Sequence, residues 1–480
     1  MRLSLPFLAG VVLTGCTVGP DYRAPPGVAS DAIARGVFVR ARDPSVAVAP
    51  GLARWWEALA DPMLTGLIDD ALTHSPTIDE ATARIRAAQA QLTQKRASQL
   101  PSVSGNATYL RAELPGVDIA SDAEGGGDGG STALNFYNLG LNASWEVDLF
   151  GGARRATEQS RATVAVRVAD LADTQVSLSA QVAQAYVHLR DVQTRIRLDT
   201  ESTALQRRQL SLAERRLVGG TASLLDVERL RNQLESTEAD AIPLGSQRDD
   251  YLNQLAVLTG RTPGALDAQL ATAMPVPLPP AQVPIGDPAA LIANRPDIRS
   301  AERQLAANTA AVGVSKAKQL PGIRFLGILG LGGTSPGDVL DAGNLTMLLA
   351  PSLSWSFLDF GRNRAATKAS EAERDGAEAT YRKTVLAALQ DAETALARFG
   401  ATRAQLGQLV RAEATATRSM RLNAQRVQAG TSSVIDQLDI ERRRLSASIA
   451  TQQARAQLTQ SYIAVNKALG LGWSSGSSPH

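Results

Sequence analysis

Between Tyr137 and Leu149 apolar and polar positions alternate almost without interruption. Tyr137, Leu139, Leu141, Ala143, Trp145, Val147 and Leu149 form one set; Asn138, Gly140, Asn142, Ser144, Glu146 and Asp148 form the other. A period of two with a polar partner face predicts a strand with one wet side. Leu345, Met347, Leu349, Leu353, Trp355 and Phe357, set against Thr346, Ser352, Ser354 and Ser356, repeat the pattern. Val103, Ala107 and Tyr109 alternate with Ser102, Ser104, Asn106 and Thr108, and Ile323 to Leu331 is apolar on both faces and rich in glycine. Four strands are therefore expected, over 101–112, 135–150, 321–332 and 345–360.

A second pattern has a longer period. From Gly152 to Val218 there is no proline and no internal glycine, and Arg362 to Ala429 is likewise free of proline. Apolar residues step by fours and threes through Val164, Val168, Leu171, Leu178, Val182, Ala185, Leu189, Val192 and Ile196. The other segment does so through Tyr381, Val385, Leu389, Ala392, Leu396, Phe399, Leu406 and Val410. This heptad-like seam predicts long packed helices over 152–218 and 362–428. At ~1.5 Å per residue, each is about 100 Å long. Both stop at a glycine turn, Gly219-Gly220-Thr221 and Gly430-Thr431. Glycine past a helix end is a C-cap signal, and Thr221 or Ser223, and Thr431 or Ser432, can cap the returning helix.

The strand and helix patterns occur twice because the chain is duplicated. Pro76 matches Pro296 and Leu100-Pro101 matches Leu320-Pro321, an offset of 220 (296−76). Ser144-Trp145 matches Ser354-Trp355, Phe150-Gly151 matches Phe360-Gly361, and Gly220-Thr221 matches Gly430-Thr431, an offset of 210 (354−144). The offset changes across the Gly-rich stretch Ser121 to Gly130, an insertion of the kind a surface loop tolerates. The expected organisation is a signal peptide over 1–15, an extended segment over 16–60 and a first repeat over 61–260. A Pro-rich linker over 261–287, a second repeat over 288–472 and a tail over 473–480 complete it. Each repeat reads as helix, two strands, long helix, tip turn and returning helix, the last over 222–260 and 432–470.

Composition narrows the function. Lys and Arg number 49 against 47 Asp and Glu, interspersed, so no basic excess suggests a nucleic-acid partner. Cys16 is the sole cysteine, which excludes an internal disulfide or a multi-cysteine metal site. It follows Arg2, the apolar run Leu3 to Leu13, and Thr14-Gly15. A basic start, a short apolar core and a small residue before the cut describe a secretory signal. With Cys16 at the cut, it looks like a lipoprotein signal that leaves covalent lipid on Cys16 and no other cofactor, and Thr17 after it resembles the outer-membrane address of lipoproteins; a plain secretory signal with an incidental cysteine is the alternative.

No later apolar run approaches the ~18–20 residues of a spanning helix. A mature chain that crosses a bilayer must then do so as a closed β-barrel, because lipid offers no partner to bare backbone groups. Strands of about 10–13 residues suffice when tilted. Four cannot close a barrel, whose minimum is ~8, so several copies must pool strands. An ordinary antiparallel sheet on a soluble core stands as the plain alternative.

Thr17-Val18-Gly19-Pro20-Asp21-Tyr22 with Pro25, Trp55-Trp56, Asp61-Pro62, Ser144-Trp145-Glu146-Val147-Asp148-Leu149-Phe150-Gly151 and Asn294-Arg295-Pro296-Asp297-Ile298 give the chain its resemblance. It resembles, over nearly its whole length, the TolC-like outer-membrane lipoprotein channels of resistance–nodulation–division efflux pumps. The resemblance implies a mainly α, internally duplicated fold with a long periplasmic helical barrel. Above it stands a trimeric outer-membrane β-barrel of about 12 strands, four per chain. It also implies a passive exit duct, not an enzyme, that works as a homotrimer with a periplasmic adaptor (membrane fusion) protein and an inner-membrane pump.

In such channels carboxylates narrow the pore at the periplasmic tip. Matching the motif places them at Asp436 and Asp439, with Asp226 as the first-repeat equivalent. Spaced i and i+3, Asp436 and Asp439 share a helix face, and threefold repetition would stack acidic rings that attract cations. Each Asp could instead simply favour a helix N-terminus. The arginine and tyrosine that latch TolC's gate fall on Ser432 and Val427, so the closing contacts must differ. The turns at Gly219, Gly220, Thr221, Gly430 and Thr431 resemble the surface that meets the adaptor.

His74, His188 and His480 form no ligand signature, and Gly327 to Gly333 lacks the following Lys and helix of a phosphate loop. Two other functions remain open: a type I protein-secretion duct on the same fold, and a periplasmic coiled-coil scaffold without a pore.

Overall fold

The computed structural model describes residues 17–25, 27–114 and 132–473. The signal peptide expected over 1–15, Cys16, the Gly-rich stretch Ser121 to Gly130 and residues 474–480 lie outside the described residues. The chain divides into two compact units. One comprises Met1–Pro25, Arg86–Val166 and Glu302–Ala379; the other comprises Pro26–Ile85, Arg167–Ala301 and Thr380–His480.

The labelled elements, in chain order, are α1 (Pro62–His74), α2 (Pro76–Ala97), β1 (Ser102–Leu114), β2 (Thr132–Val147), α3 (Gly152–Val218) and α4 (Leu224–Leu258). The second repeat supplies α5 (Pro288–Asn294), α6 (Pro296–Ala317), β3 (Gly322–Gly333), β4 (Leu345–Ser354), α7 (Arg362–Gln428) and α8 (Val434–Ala468). Among the described residues no helix is long and apolar enough to cross a membrane.

In the first unit, the strands form one sheet in the order β1-β2-β3-β4, every neighbour antiparallel. The register sets Trp145 opposite Phe325, Leu141 opposite Leu329, and Leu329 opposite Met347, so the odd-numbered apolar sets share one face. The rings of Trp145 and Phe325 stack with centroids 6.2 Å apart. Cross-strand pairs of this kind contribute roughly 0.2–1 kcal/mol each. The face is exposed: Leu141 is 49%, Leu353 69% and Met347 77% accessible.

The duplication is visible in the hydrogen bonding as well. Ser102 pairs with Ser144 and Gly322 with Ser354, so the second pair is the first advanced by 220 (322−102) and 210 (354−144). The indole Nε1 of Trp145 donates to Gln99 O at 3.1 Å, and that of Trp355 to Gln319 O at 3.2 Å. The strand expected over 345–360 ends at Ser354, because β3 begins at Gly322, its partner, and offers nothing further to pair with. Likewise β2 runs Thr132–Val147, ending at the partner of Ile323.

The second unit is helical and holds the main core. Trp55 and Trp56 are 1% exposed and pack among Leu64, Ile68, Tyr186, Leu189, Leu255, Val385, Phe399 and Ile463. Tyr462 Oη donates to Trp55 O at 3.0 Å. Asp61 caps α1, accepting from Met63 N and Leu64 N, and its other oxygen accepts from Tyr186 Oη at 2.7 Å. Arg295 closes the C-terminus of α8, donating to Ala468 O at 2.7 Å. A cation there satisfies an orphan carbonyl and opposes the helix dipole.

Two expectations need correction. The segment 16–60 is not wholly extended: Ser30–Arg35 and Trp55–Leu59 are helical, and Val46–Ala47 pairs in parallel with Val283–Pro284 of the Pro-rich linker. Along α3 the seam is buried at Leu178, Val182, Ala185, Leu189 and Val192, but Val168 is exposed and Val166, Ala169, Ala172 and Val176 take its place. Val410 is also exposed. A helix repeats every 3.6 residues and drifts from a strict heptad, which turns one end of so long a seam away.

Candidate functional site

The two hairpin tips are built from one recipe. At the end of α3, Gly220 takes φ +70° and Thr221 N donates to Arg216 O at 2.8 Å while Gly220 N donates to Leu217 O at 3.0 Å. At the end of α7, Gly430 takes φ +71°, and Thr431 N and Gly430 N donate to Arg426 O and Val427 O at 2.8 and 3.0 Å. This Schellman pattern needs a left-handed residue, which glycine adopts at no steric cost. The arginine ties the turn further: Arg216 donates to Thr221 O and Arg426 to Thr431 O, each at 3.3 Å.

The returning helices start with capping boxes at Ser223 and Ser433. Thr221, Thr431 and Ser432 are thus not the caps; Thr221 and Thr431 donate back to the preceding arginine carbonyls, and Ser432 Oγ donates to Asn423 Oδ1 at 2.8 Å. The tips stay apolar in places: Val218 is 91%, Leu224 61% and Val434 52% exposed.

The aspartates sit where these caps put them. Asp226 and Asp436 are the third residues of their helices, and each carboxylate accepts from the serine hydroxyl at 2.7 Å, in Ser223 and Ser433 respectively. Those hydrogen bonds hold Asp226 below the ordinary carboxylate pKa. The structural role weighed for these residues, favouring a helix N-terminus, is present in both. Asp439 lies one turn further along α8 and accepts from Arg442 Nη2 and Arg443 Nε, both at 2.9 Å. Partial burial would raise its pKa, but the two arginine hydrogen bonds outweigh that and hold it low.

The structure therefore places Asp436 and Asp439 on one helix, whereas Asp226 stands on α4 within its own box. It also gives Asp439 charge partners of its own, because Arg442 and Arg443 bracket it on the same chain. On this chain Asp439 is a paired carboxylate. Sequence reasoning passed over these arginines, although their i+3 and i+4 spacing from Asp439 was the signal. Behind the tip, Leu198 and Leu205 of α3 pack against Leu438 and Leu445 of α8 at matching seven-residue spacings.

A second constellation, in the first unit, fixes the N-terminal block. Val18 N donates to Phe150 O at 3.0 Å, Tyr22 Oη donates to Glu302 Oε1 at 2.8 Å, and Arg155 donates to Val18 O, Gly19 O and Asp21 Oδ1. Gly19, at φ +96°, passes so close to Gly313 that a Cβ would lie 2.5 Å from its Cα. Thr17 touches Gly151, so the residue after Cys16 lies beside the turn joining β2 to α3. Among the described residues no cluster of three His, Cys, Asp or Glu side chains could hold a metal.

The sequence model of the outer membrane efflux protein family matches residues 67–261 and 288–471, one match per repeat. The pyoverdine export outer membrane protein OpmQ of Pseudomonas putida is 31% identical over 431 residues, 88% of each chain. The toluene efflux pump outer membrane protein TtgI of Pseudomonas putida is 28% identical over 476 residues, 98% of each chain. Among solved structures, the outer-membrane channel OprN superposes with a TM-score of 0.85 at 32% identity, covering 95% of this chain and all of that one.

Proposed function

Because this chain belongs to the outer membrane efflux protein family, we propose that it is the exit duct of a tripartite efflux pump, a passive outer-membrane conduit with no catalytic step. The observation that carries this reading is the four-stranded sheet. Its odd-numbered face is apolar and exposed, and among the described residues its outer strands β1 and β4 each lack a partner on one side. Hydrocarbon suits the face, and only closure suits the edges, because lipid cannot satisfy bare backbone groups.

The finer assignments follow from that. Three copies pool four strands each into a barrel of about 12, wide enough to leave a passage. Asp226, Asp436 and Asp439, at the hairpin tips, line the periplasmic constriction. The turns at Gly219, Gly220, Thr221, Gly430 and Thr431, with exposed Val218 and Leu224 beside them, meet a periplasmic adaptor, which links the duct to an inner-membrane pump of the resistance–nodulation–division type. Cys16 carries the lipid anchor. The cargo is small organic solutes, a class that takes in both toluene and pyoverdine, named for the relatives.

Deleting the gene in its own host and restoring it on a plasmid tests this function. The deletion strain is expected to become more sensitive to exported organic solutes, and the plasmid to reverse that. Unchanged sensitivity in a strain without a second duct of this family would overturn the assignment. For the anchor, Cys16→Ser is expected to abolish metabolic labelling with palmitate.

A further inference from the structure

We propose that β4 pairs with β1 of a second copy of this chain in the register of the internal β2–β3 junction, setting Trp355 opposite Gly105 of the partner subunit and Leu353 opposite Ala107 of the partner subunit. The proposal rests on the pooled-strand reading above and specifies how the pooled strands meet.

Two kinds of junction exist within the sheet. The β1–β2 and β3–β4 junctions lie inside one repeat each and are images of one another, offset by 220 (322−102) on one strand and 210 (354−144) on the other. The β2–β3 junction is different, since it joins the second strand of one repeat to the first strand of the next. In a ring of copies, the strand after β4 is the first strand of the following repeat, which is β1 of the neighbour.

The same offsets then convert the internal junction into the seam between subunits. Trp145 opposite Phe325 becomes Trp355 (145+210) opposite Gly105 (325−220) of the partner subunit. Ala143 opposite Gly327 becomes Leu353 (143+210) opposite Ala107 (327−220) of the partner subunit. Asn142 opposite Ile328 becomes Ser352 (142+210) opposite Thr108 (328−220) of the partner subunit.

Two independent features of the single chain fit this register. The first is the missing end of β4. In β2, residues 145–147 extend beyond the pairing with β1, which stops at Ser144, and are strand only because β3 pairs with them. The equivalent residues 355–357 follow the same alternation but are not strand, and nothing among the described residues pairs with them. A neighbouring β1 in this register supplies the absent partner.

The second is side-chain fit. Trp355 is 55% exposed, while a Cβ built on Gly105 would meet only Leu141 Cδ2, at 4.0 Å. A large aromatic laid across a strand glycine covers backbone that would otherwise stay bare. A slip of one residue would put the apolar set of one strand on the polar face of the next, so the parity is fixed. Slips of two keep the faces and are what experiment must separate.

Paired cysteines in the full-length protein do so, with Cys16 as the sole native cysteine. Ser352→Cys is combined in one chain with Asn106→Cys, Thr108→Cys or Leu110→Cys. Leu353→Cys is combined with Gly105→Cys, Ala107→Cys or Tyr109→Cys, since only one face of an antiparallel pair brings opposed Cβ atoms closest. Membranes are oxidised with copper phenanthroline, and cross-linked subunits are counted on non-reducing gels, with single-cysteine variants as controls. The Thr108 or Ala107 combination is expected to exceed both its neighbours roughly tenfold, given the narrow Cβ separation a disulfide tolerates. A maximum at a neighbouring position, or no preference, in a protein that native mass measurement shows to be oligomeric overturns the register. A monomer in that measurement overturns the pooled-strand reading instead.

Discussion

Arg155 and Asp21, 134 residues apart in sequence, meet at 2.6 Å between Nη2 and Oδ1. The ion pair itself is minor, since the Asp21 side chain is 83% exposed and such pairs contribute little in water. More follows from the same guanidinium, 6% exposed, donating to Val18 O and Gly19 O. It holds Val18 and Gly19 by their backbone, next to Thr17, which lies beside the turn at Gly151.

Arg155→Ala is therefore expected to free residues 17–22, whereas Asp21→Ala is expected to do little. Hydrogen bonds to a charged group are worth about 1.5–3 kcal/mol, so local opening should rise about thirtyfold. Limited trypsin cleavage at Arg23, timed against the parent protein, reads that change.

At the second hairpin tip, Ser433→Ala removes the hydroxyl that accepts from Asp436 N at 3.1 Å and donates to its carboxylate. The expected loss is about 1 kcal/mol of local stability, or roughly fivefold faster amide exchange at Asp436. Ser432→Ala should leave that amide unchanged, because its hydroxyl serves Asn423. Equal effects from the two substitutions would contradict the capping assignment.

Asp439 is held ionised by Arg442 and Arg443 against the opposing effect of partial burial. A carboxylate with a lowered folded pKa stabilises above its unfolded value of about 4, and that contribution is lost as pH falls through the folded value. No change from this group is expected between pH 5 and 8 by that rule. Asp439→Asn leaves two arginines without their partner, so the duct should shift toward anions; Arg442→Gln with Arg443→Gln should shift it toward cations. Reversal potentials under a salt gradient give both signs.

In the helical core, burial pushes the Tyr186 hydroxyl up to about 12, with the bond to Asp61 acting in the same direction. A raised folded value means the contribution is complete below the unfolded value of about 10 and is lost as pH rises through the folded one. Tyr186→Phe should cost about 1 kcal/mol at neutral pH and abolish any alkaline loss due to this group. Denaturant titration at pH 7 and pH 11 compares the two proteins.

Much of this fold could be read before the structure because its signals are local and doubled. Residues 152–218 contain no proline and end at Gly219-Gly220, and α3 follows as Gly152–Val218. The alternation through Trp145 and Trp355 likewise marks strands whatever packs on them. What escaped depended on distant partners. Nothing near Val46 announces that it pairs with Val283, and Arg155 shows no sign of reaching Val18 until the chain folds. The alternation through Phe357 points beyond the end of β4 because pattern does not reveal where a partner strand stops. At the tip, three aspartates stood out while the arginines that pair with Asp439 did not.

Planar-bilayer recording with the purified full-length protein measures the conduit itself. Stepwise conductance is expected from the oligomer, with the Asp439→Asn variant altering its ion preference. An intact oligomer that inserts, as shown by protease protection, yet conducts nothing, even with Asp436 and Asp439 both changed to Ala, would contradict the account.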